Sequence, residues 1–139
     1  MRLGGNAKID LLRRVPLFSS CTKAELRQLA LNTDEIDLKD GAVLTREGRS
    51  GREFFILVEG TARVTRGSRK VADLGAGDWF GEIALLTNVP RTASVTATSP
   101  VRVLVLTSRA FRGVVASMPS VALKVLASVG DRLDADKKR

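Results

Sequence analysis

The chain has 139 residues, 44% hydrophobic and 27% charged, the composition of a soluble globular protein able to bury a core without covalent staples. It contains no histidine and a single cysteine, Cys21, which excludes Ser-His and Cys-His nucleophile pairs, histidine-based metal sites and any intrachain disulfide. The net charge of +8 and pI near 10.6 attract anions, but the basic residues are spread along the chain without a helix-turn-helix or aromatic-basic motif, so a solvated basic surface is favoured over direct nucleic-acid binding.

The first six residues lack the apolar stretch of a signal peptide, and no apolar run approaches a membrane span. The expectation is therefore a cytoplasmic protein with no membrane insertion. Residues 9–15 read as a short helix ended by Pro16, with Leu17 and Phe18 as an apolar plug. Thr22 and Glu25 form a capping box that opens a helix to about Leu31, burying Leu26, Leu29 and Ala30. From Glu35 to Thr107 the pattern changes to short alternating runs. Residues 42–45, 54–58, 61–65, 70–74, 93–97 and 101–106 read as strands, separated by turn signals such as Asp40-Gly41, Glu47-Gly48, Glu59-Gly60 and Gly67-Ser68. Many short strands at this spacing imply an antiparallel sandwich or barrel. Ser108 is placed to cap a helix running to about Ser117, and Met118-Pro119-Ser120 breaks it. A last helix is expected from about Ser120 to Asp134, with Ala122, Val125, Leu126, Val129 and Leu133 at helical spacing, followed by a frayed tail over residues 136–139.

The most informative stretch is residues 78–95. Gly81 is followed at once by Glu82 and a short apolar helix-forming turn, Ile83-Ala84-Leu85-Leu86. A turn closed by Pro90 then delivers Arg91 and the small residues Thr92, Ala93 and Ser94. A helix start offers backbone N–H groups to an anion, and a guanidinium offers paired donors to the same anion. The carboxylate of Glu82 only accepts, so it suits a donating hydroxyl. Gly81 has no Cβ and lets the backbone approach a ligand closely. The pattern suits a ligand that carries one anionic group beside a sugar hydroxyl.

Phe80-Gly81-Glu82-Ile83-Ala84-Leu85-Leu86 followed by Pro90-Arg91-Thr92-Ala93-Ser94-Val95 closely resembles the phosphate-binding cassette of cyclic nucleotide-binding domains. Members include the regulatory subunits of cyclic AMP-dependent kinase, the catabolite activator proteins and cyclic nucleotide-gated channels. The resemblance implies a single domain over residues 1–139. A helical segment (1–34) would precede an eight-stranded β-roll, or jelly roll (35–107, cassette 80–95), and C-terminal lid helices (108–139) would follow. It also implies that Glu82 takes the ribose 2′-hydroxyl and Arg91 the exocyclic phosphate, with the N–H groups of Ala84 and Thr92 adding to the phosphate cradle. Gly81, Ile83 and Ala93 complete the expected ligand-binding set. Thr92 is either an ordinary β-branched strand residue or, as in cyclic GMP-dependent kinases, a determinant of guanine preference. The balance favours cyclic AMP.

Val64, Val71 and Leu74 are candidates for the apolar wall around the base. Val125, Leu126 and Val129 form a lid, a homodimer seam or plain packing. Arg132 either stacks on the purine or is solvated. The expected partners are a cyclic nucleotide and an output domain or partner protein, with no cofactor, no metal and no catalysis. The other readings are a ligand-free structural or interaction domain of the same fold and a basic nucleic-acid-binding protein.

Overall fold

The computed structural model describes residues 3–137, with the side chains of all of these except Val129 and residues 131–137. Residues 33–108 form one compact unit, and the segments before and after it form a second.

Among the described residues, the first unit contains eight strands: β1 (Asp34–Leu38), β2 (Val43–Thr45), β3 (Glu53–Glu59), β4 (Ala62–Arg66), β5 (Arg69–Leu74), β6 (Trp79–Phe80), β7 (Ser94–Ala97) and β8 (Val101–Thr107). They build two four-stranded sheets, β1-β8-β3-β6 and β2-β7-β4-β5, in which every pairing is antiparallel. Side chains alternate across a strand, so one face of each sheet turns inward. Phe55, Leu57, Ala62, Val95, Ala97, Val101, Val103 and Val105 form the core of the roll. Each large apolar side chain fully buried in this way contributes about 1.5–3 kcal/mol. Phe54 and Ile56, each 1% exposed, bury the other face of β3 as well, which is why this strand reads as one continuous apolar run.

Two of the eight strands lie outside the six expected from alternation. The β1 segment, Asp-Glu-Ile-Asp-Leu, is mostly charged because it is an edge strand. Its place is set by pairing with β8, where Asp37 stands opposite Arg102 and accepts a hydrogen bond from Arg102 Nε at 2.8 Å. The β6 strand is two residues long, too short for any periodicity, yet it pairs with β3 and stacks Phe80 on Phe55 at 4.9 Å between ring centroids. That stacking fixes where residue 81 begins.

In the second unit, α1 (Gly5–Arg14) begins four residues before the expected start, and Pro16–Phe18 form one 3₁₀ turn. Helix α2 (Lys23–Leu31) carries the expected capping box. The Thr22 hydroxyl accepts the Glu25 N–H at 3.2 Å, and the Glu25 carboxylate accepts the Thr22 N–H at 2.7 Å. Leu26, Leu29 and Ala30 are buried. Helix α3 (Ser108–Ser117) ends where expected but includes Ser108, the residue expected to cap it, and Phe111 packs against Phe18 at 6.1 Å. Helix α4 (Pro119–Lys137) starts at the proline itself, which has the fixed φ of a first helical residue, and it continues past the expected end at Asp134 into the segment read as a tail. Among its described side chains the buried ones are Val121 and Val125, one turn apart; Leu126 is 66% exposed and does not belong to the buried face. No single helix among the described residues is long and apolar enough to cross a membrane; α3 and the first half of α4 pass by length and composition only when joined across a 118° bend.

Glu25 does more than cap α2. Its carboxylate also accepts from Lys124 Nζ and Ser120 Oγ, each at 2.5 Å, and so anchors the start of α4. These partners, Lys124 first and then Ser120 and the Thr22 N–H, hold the Glu25 carboxyl at about 2. A carboxylate depressed in the folded state contributes stability that is complete above its unfolded value of about 4.3. That contribution is lost as pH falls through 2. Glu25→Gln is therefore expected to lower stability at neutral pH and to flatten the decline between pH 5 and pH 2. Urea unfolding across that range checks this, and identical pH slopes in the two proteins would reject it.

Candidate functional site

The site begins where β6 ends. Gly81 has φ 84°, the left-handed conformation that favours glycine, and it turns the chain sharply out of the sheet. A Cβ at this position would lie 2.6 Å from Arg91 Nη1 and 2.9 Å from the Glu53 carbonyl oxygen, so space also demands glycine. The helix-forming stretch after it is a single 3₁₀ turn, Glu82–Leu85, rather than a longer helix. Leu86 and Thr87 both donate their N–H to Ile83 O at 3.0 Å and close the turn. The Ala84 N–H, expected to face a phosphate, donates to Gly81 O at 3.0 Å. The Thr92 N–H has no partner among the described residues.

Arg91 is held from all sides. Its N–H donates to Arg49 O at 2.9 Å, and its carbonyl accepts the Gly48 N–H at 2.8 Å, so the loop before β3 brackets its backbone. Its side chain is only 9% exposed; Nη2 donates to the Glu53 carbonyl at 2.6 Å and stands 3.6 Å from the Glu53 carboxylate. Gly51 lies against the guanidinium, which a Cβ there would overlap. Burial lowers the Arg91 pKa, and the Glu53 charge partly offsets this. An arginine starts so far above neutrality that the group stays a cation. The result is a fixed, poorly hydrated positive charge, which interacts with an anion more strongly than a solvated one.

These elements enclose an open cavity of about 290 Å³. All seven residues expected to bind ligand, Gly81 to Ala84 and Arg91 to Ala93, line it, and so does Val64. Val71 does not line it. The β4–β5 register pairs Val64 with Ala72 and Thr65 with Lys70, so Val71 is the extra residue of a bulge and is turned outward, 49% exposed. Leu74 packs on the core of the roll instead. Val125 is buried in the other unit, and Val129 and Arg132 lie outside the described side chains. Sequence reasoning missed Thr45 and Arg66 as lining residues, and it missed Gly51 and Glu53 as supports of Arg91. The only sequence signal for any of them is the continuation of the β4 alternation Ala62, Val64, Arg66.

Chemically the cavity combines one fixed cation, a carboxylate and an apolar wall. That composition holds an anion with a hydroxyl beside it and an apolar face behind it. A sequence profile described as the cyclic nucleotide-binding domain matches residues 35–118.

The chain belongs to the cyclic nucleotide-binding domain family.

It is 38% identical over 103 residues to a cAMP-dependent protein kinase regulatory subunit of Hypocrea atroviridis, an alignment covering 74% of this chain and 22% of that subunit. The N-terminal domain of a transcriptional regulator from Streptomyces coelicolor superposes with a TM-score of 0.87 at 30% identity, covering 93% of this chain and 94% of that one. The regulatory domain of Toxoplasma gondii PKA, in a co-crystal structure with cAMP, superposes with a TM-score of 0.72 at 32% identity, covering 79% and 44% of the two chains. The two four-stranded sheets with flanking helices are the β-roll of this family. This chain thus spans about a fifth of the length of the kinase subunit it matches.

Proposed function

We propose that this chain is a cyclic nucleotide receptor module that binds cyclic AMP in preference to cyclic GMP and acts by binding rather than catalysis. The observation that carries the reading is the buried Arg91 guanidinium, held by the Glu53 carbonyl in a cavity shared with Glu82. The exocyclic phosphate meets Arg91 and the free N–H of Thr92. The ribose 2′-hydroxyl donates to Glu82, and the base lies toward Val64. Cyclic AMP is favoured because the names of the kinase subunit and of the Toxoplasma complex carry it. Occupancy passes to an output domain or partner protein through the 82–85 turn and α4, in a cytoplasmic protein. Such transmission requires that the ligand bind two conformations with different affinity.

Calorimetry with cyclic AMP and cyclic GMP tests the reading, with saturable binding of both and tighter binding of cyclic AMP expected. Removing the 2′-hydroxyl should weaken binding to the natural chain by about tenfold, the loss of one hydrogen bond to a charged group. In Glu82→Ala that preference should largely vanish. A mutant that keeps the full preference for ribose would reject the sugar role of Glu82. Absence of any binding would favour a ligand-free interaction domain of the same fold.

A further inference from the structure

We propose that Arg66 is a specificity-determining residue of this cavity, donating to the acceptor edge of the ligand's base. The inference rests on the cyclic nucleotide reading above. On β4 the inward positions are Ala62, fully buried, and Val64, packed on the core of the roll. Arg66 is the next residue of that alternating series, and it lines the same cavity as Val64 and Arg91. Its side chain makes no hydrogen bond or ion pair with another described residue. Glu47, the acid that reaches this end of β4, accepts the Gly67 N–H at 2.7 Å instead. Across the hairpin Arg66 is paired with Arg69, a second cation. Like charges directly opposite one another destabilise a sheet, so the guanidinium does not serve the fold.

A cation on a ligand cavity without a protein partner is suited to a ligand acceptor, and a nucleotide offers a phosphate or a base edge. The phosphate end belongs to Arg91. Thr65 pairs with Ser94 and Val64 with Val95, so Arg66 continues β4 beside the start of β7, in the sheet rather than in the 82–85 turn. The cavity, about 290 Å³, is at the small end of ligand sites and takes one mononucleotide, which has no second phosphate. The base edge remains. A guanidinium donates two parallel hydrogen bonds to O6 and N7 of a 6-oxopurine, whereas adenine offers N7 but turns a donating amino group toward it. Arg66 therefore supports cyclic GMP more than cyclic AMP and narrows the gap between them.

The test is calorimetry of the natural chain, Arg66→Ala and Arg66→Lys with cyclic AMP, cyclic GMP and cyclic IMP, which keeps O6 and N7 but lacks the 2-amino group. Arg66→Ala should weaken cyclic GMP and cyclic IMP by about tenfold, the value of a good bidentate contact. Cyclic AMP should change by less than about threefold, since it loses at most one such bond. Arg66→Lys keeps the charge but not the fork, and should behave like Arg66→Ala toward both 6-oxopurines. Equal loss for all three ligands in Arg66→Ala, or full rescue by lysine, would assign Arg66 a charge role and overturn the proposal. Unchanged affinities would overturn it too. A natural chain that binds none of the three removes the receptor reading itself, which distinguishes that failure from a failure of Arg66.

Discussion

Arg91→Ala is expected to weaken cyclic nucleotide binding by about tenfold to a hundredfold with the roll still folded. A hydrogen bond to a charged group is worth roughly 1.5–3 kcal/mol, and a guanidinium is able to make two to one phosphate. Truncation also leaves the Glu53 carbonyl without the donor it has at 2.6 Å, so melting should fall modestly as well. Gly51→Ala provides a second route to the same loss. The three atoms nearest the new Cβ all belong to the far end of the Arg91 side chain, so the guanidinium is expected to yield and the fold to survive. Its affinity should fall in the same direction, with a smaller change in melting. Calorimetry paired with thermal melts decides the matter, and near-unchanged affinity in a folded Arg91→Ala protein would reject the phosphate assignment.

Gly60→Ala should be the most destabilising of the glycine substitutions in turns. Gly60 has φ 91° between β3 and β4, and a left-handed conformation costs a residue with a Cβ about 1–2 kcal/mol. A Cβ there would also overlap the Pro100 carbonyl oxygen and stand 2.8 Å from Ser99 Oγ. The carbonyl is backbone and cannot rotate away. It lies in a connection already tied to this turn, because Thr61 N–H donates to Ser99 Oγ at 2.9 Å and Thr98 N–H to Thr61 O at 2.9 Å. The expected loss is at least about 2 kcal/mol, a large fraction of a typical folding free energy. Gly67→Ala is the control. It shares the positive φ, at 59°, but its Cβ would meet nothing within 4 Å, so it carries the conformational strain alone. Equal losses in the two variants, measured by urea unfolding, would show that the overlap with Pro100 has no consequence.

The sequence by itself singled out the candidate site. Gly81 to Ala84 and Arg91 to Ala93 lie within thirteen consecutive residues (81–93), and all seven line one cavity. It also determined six of the strands, because alternation across a half-buried sheet is written residue by residue, and it determined α2, whose capping box is a local hydrogen-bond exchange. Tertiary structure decided what depends on partners remote in the chain. Arg91 is oriented by a carbonyl 38 residues away, and any residue type supplies a carbonyl, so Glu53 leaves no mark in the sequence. The charged edge strand β1 and the two-residue β6 exist through pairing with β8 and β3, not through a pattern of their own. One extra residue in β5 turned Val71 away from the cavity, since side chains alternate with a period of two and a bulge re-aims the residue it inserts. Arg66 reached the cavity because the register of β4 against β7 carried its inward face alongside the end of the cassette, a placement fixed by pairing between strands and by no local preference of an arginine.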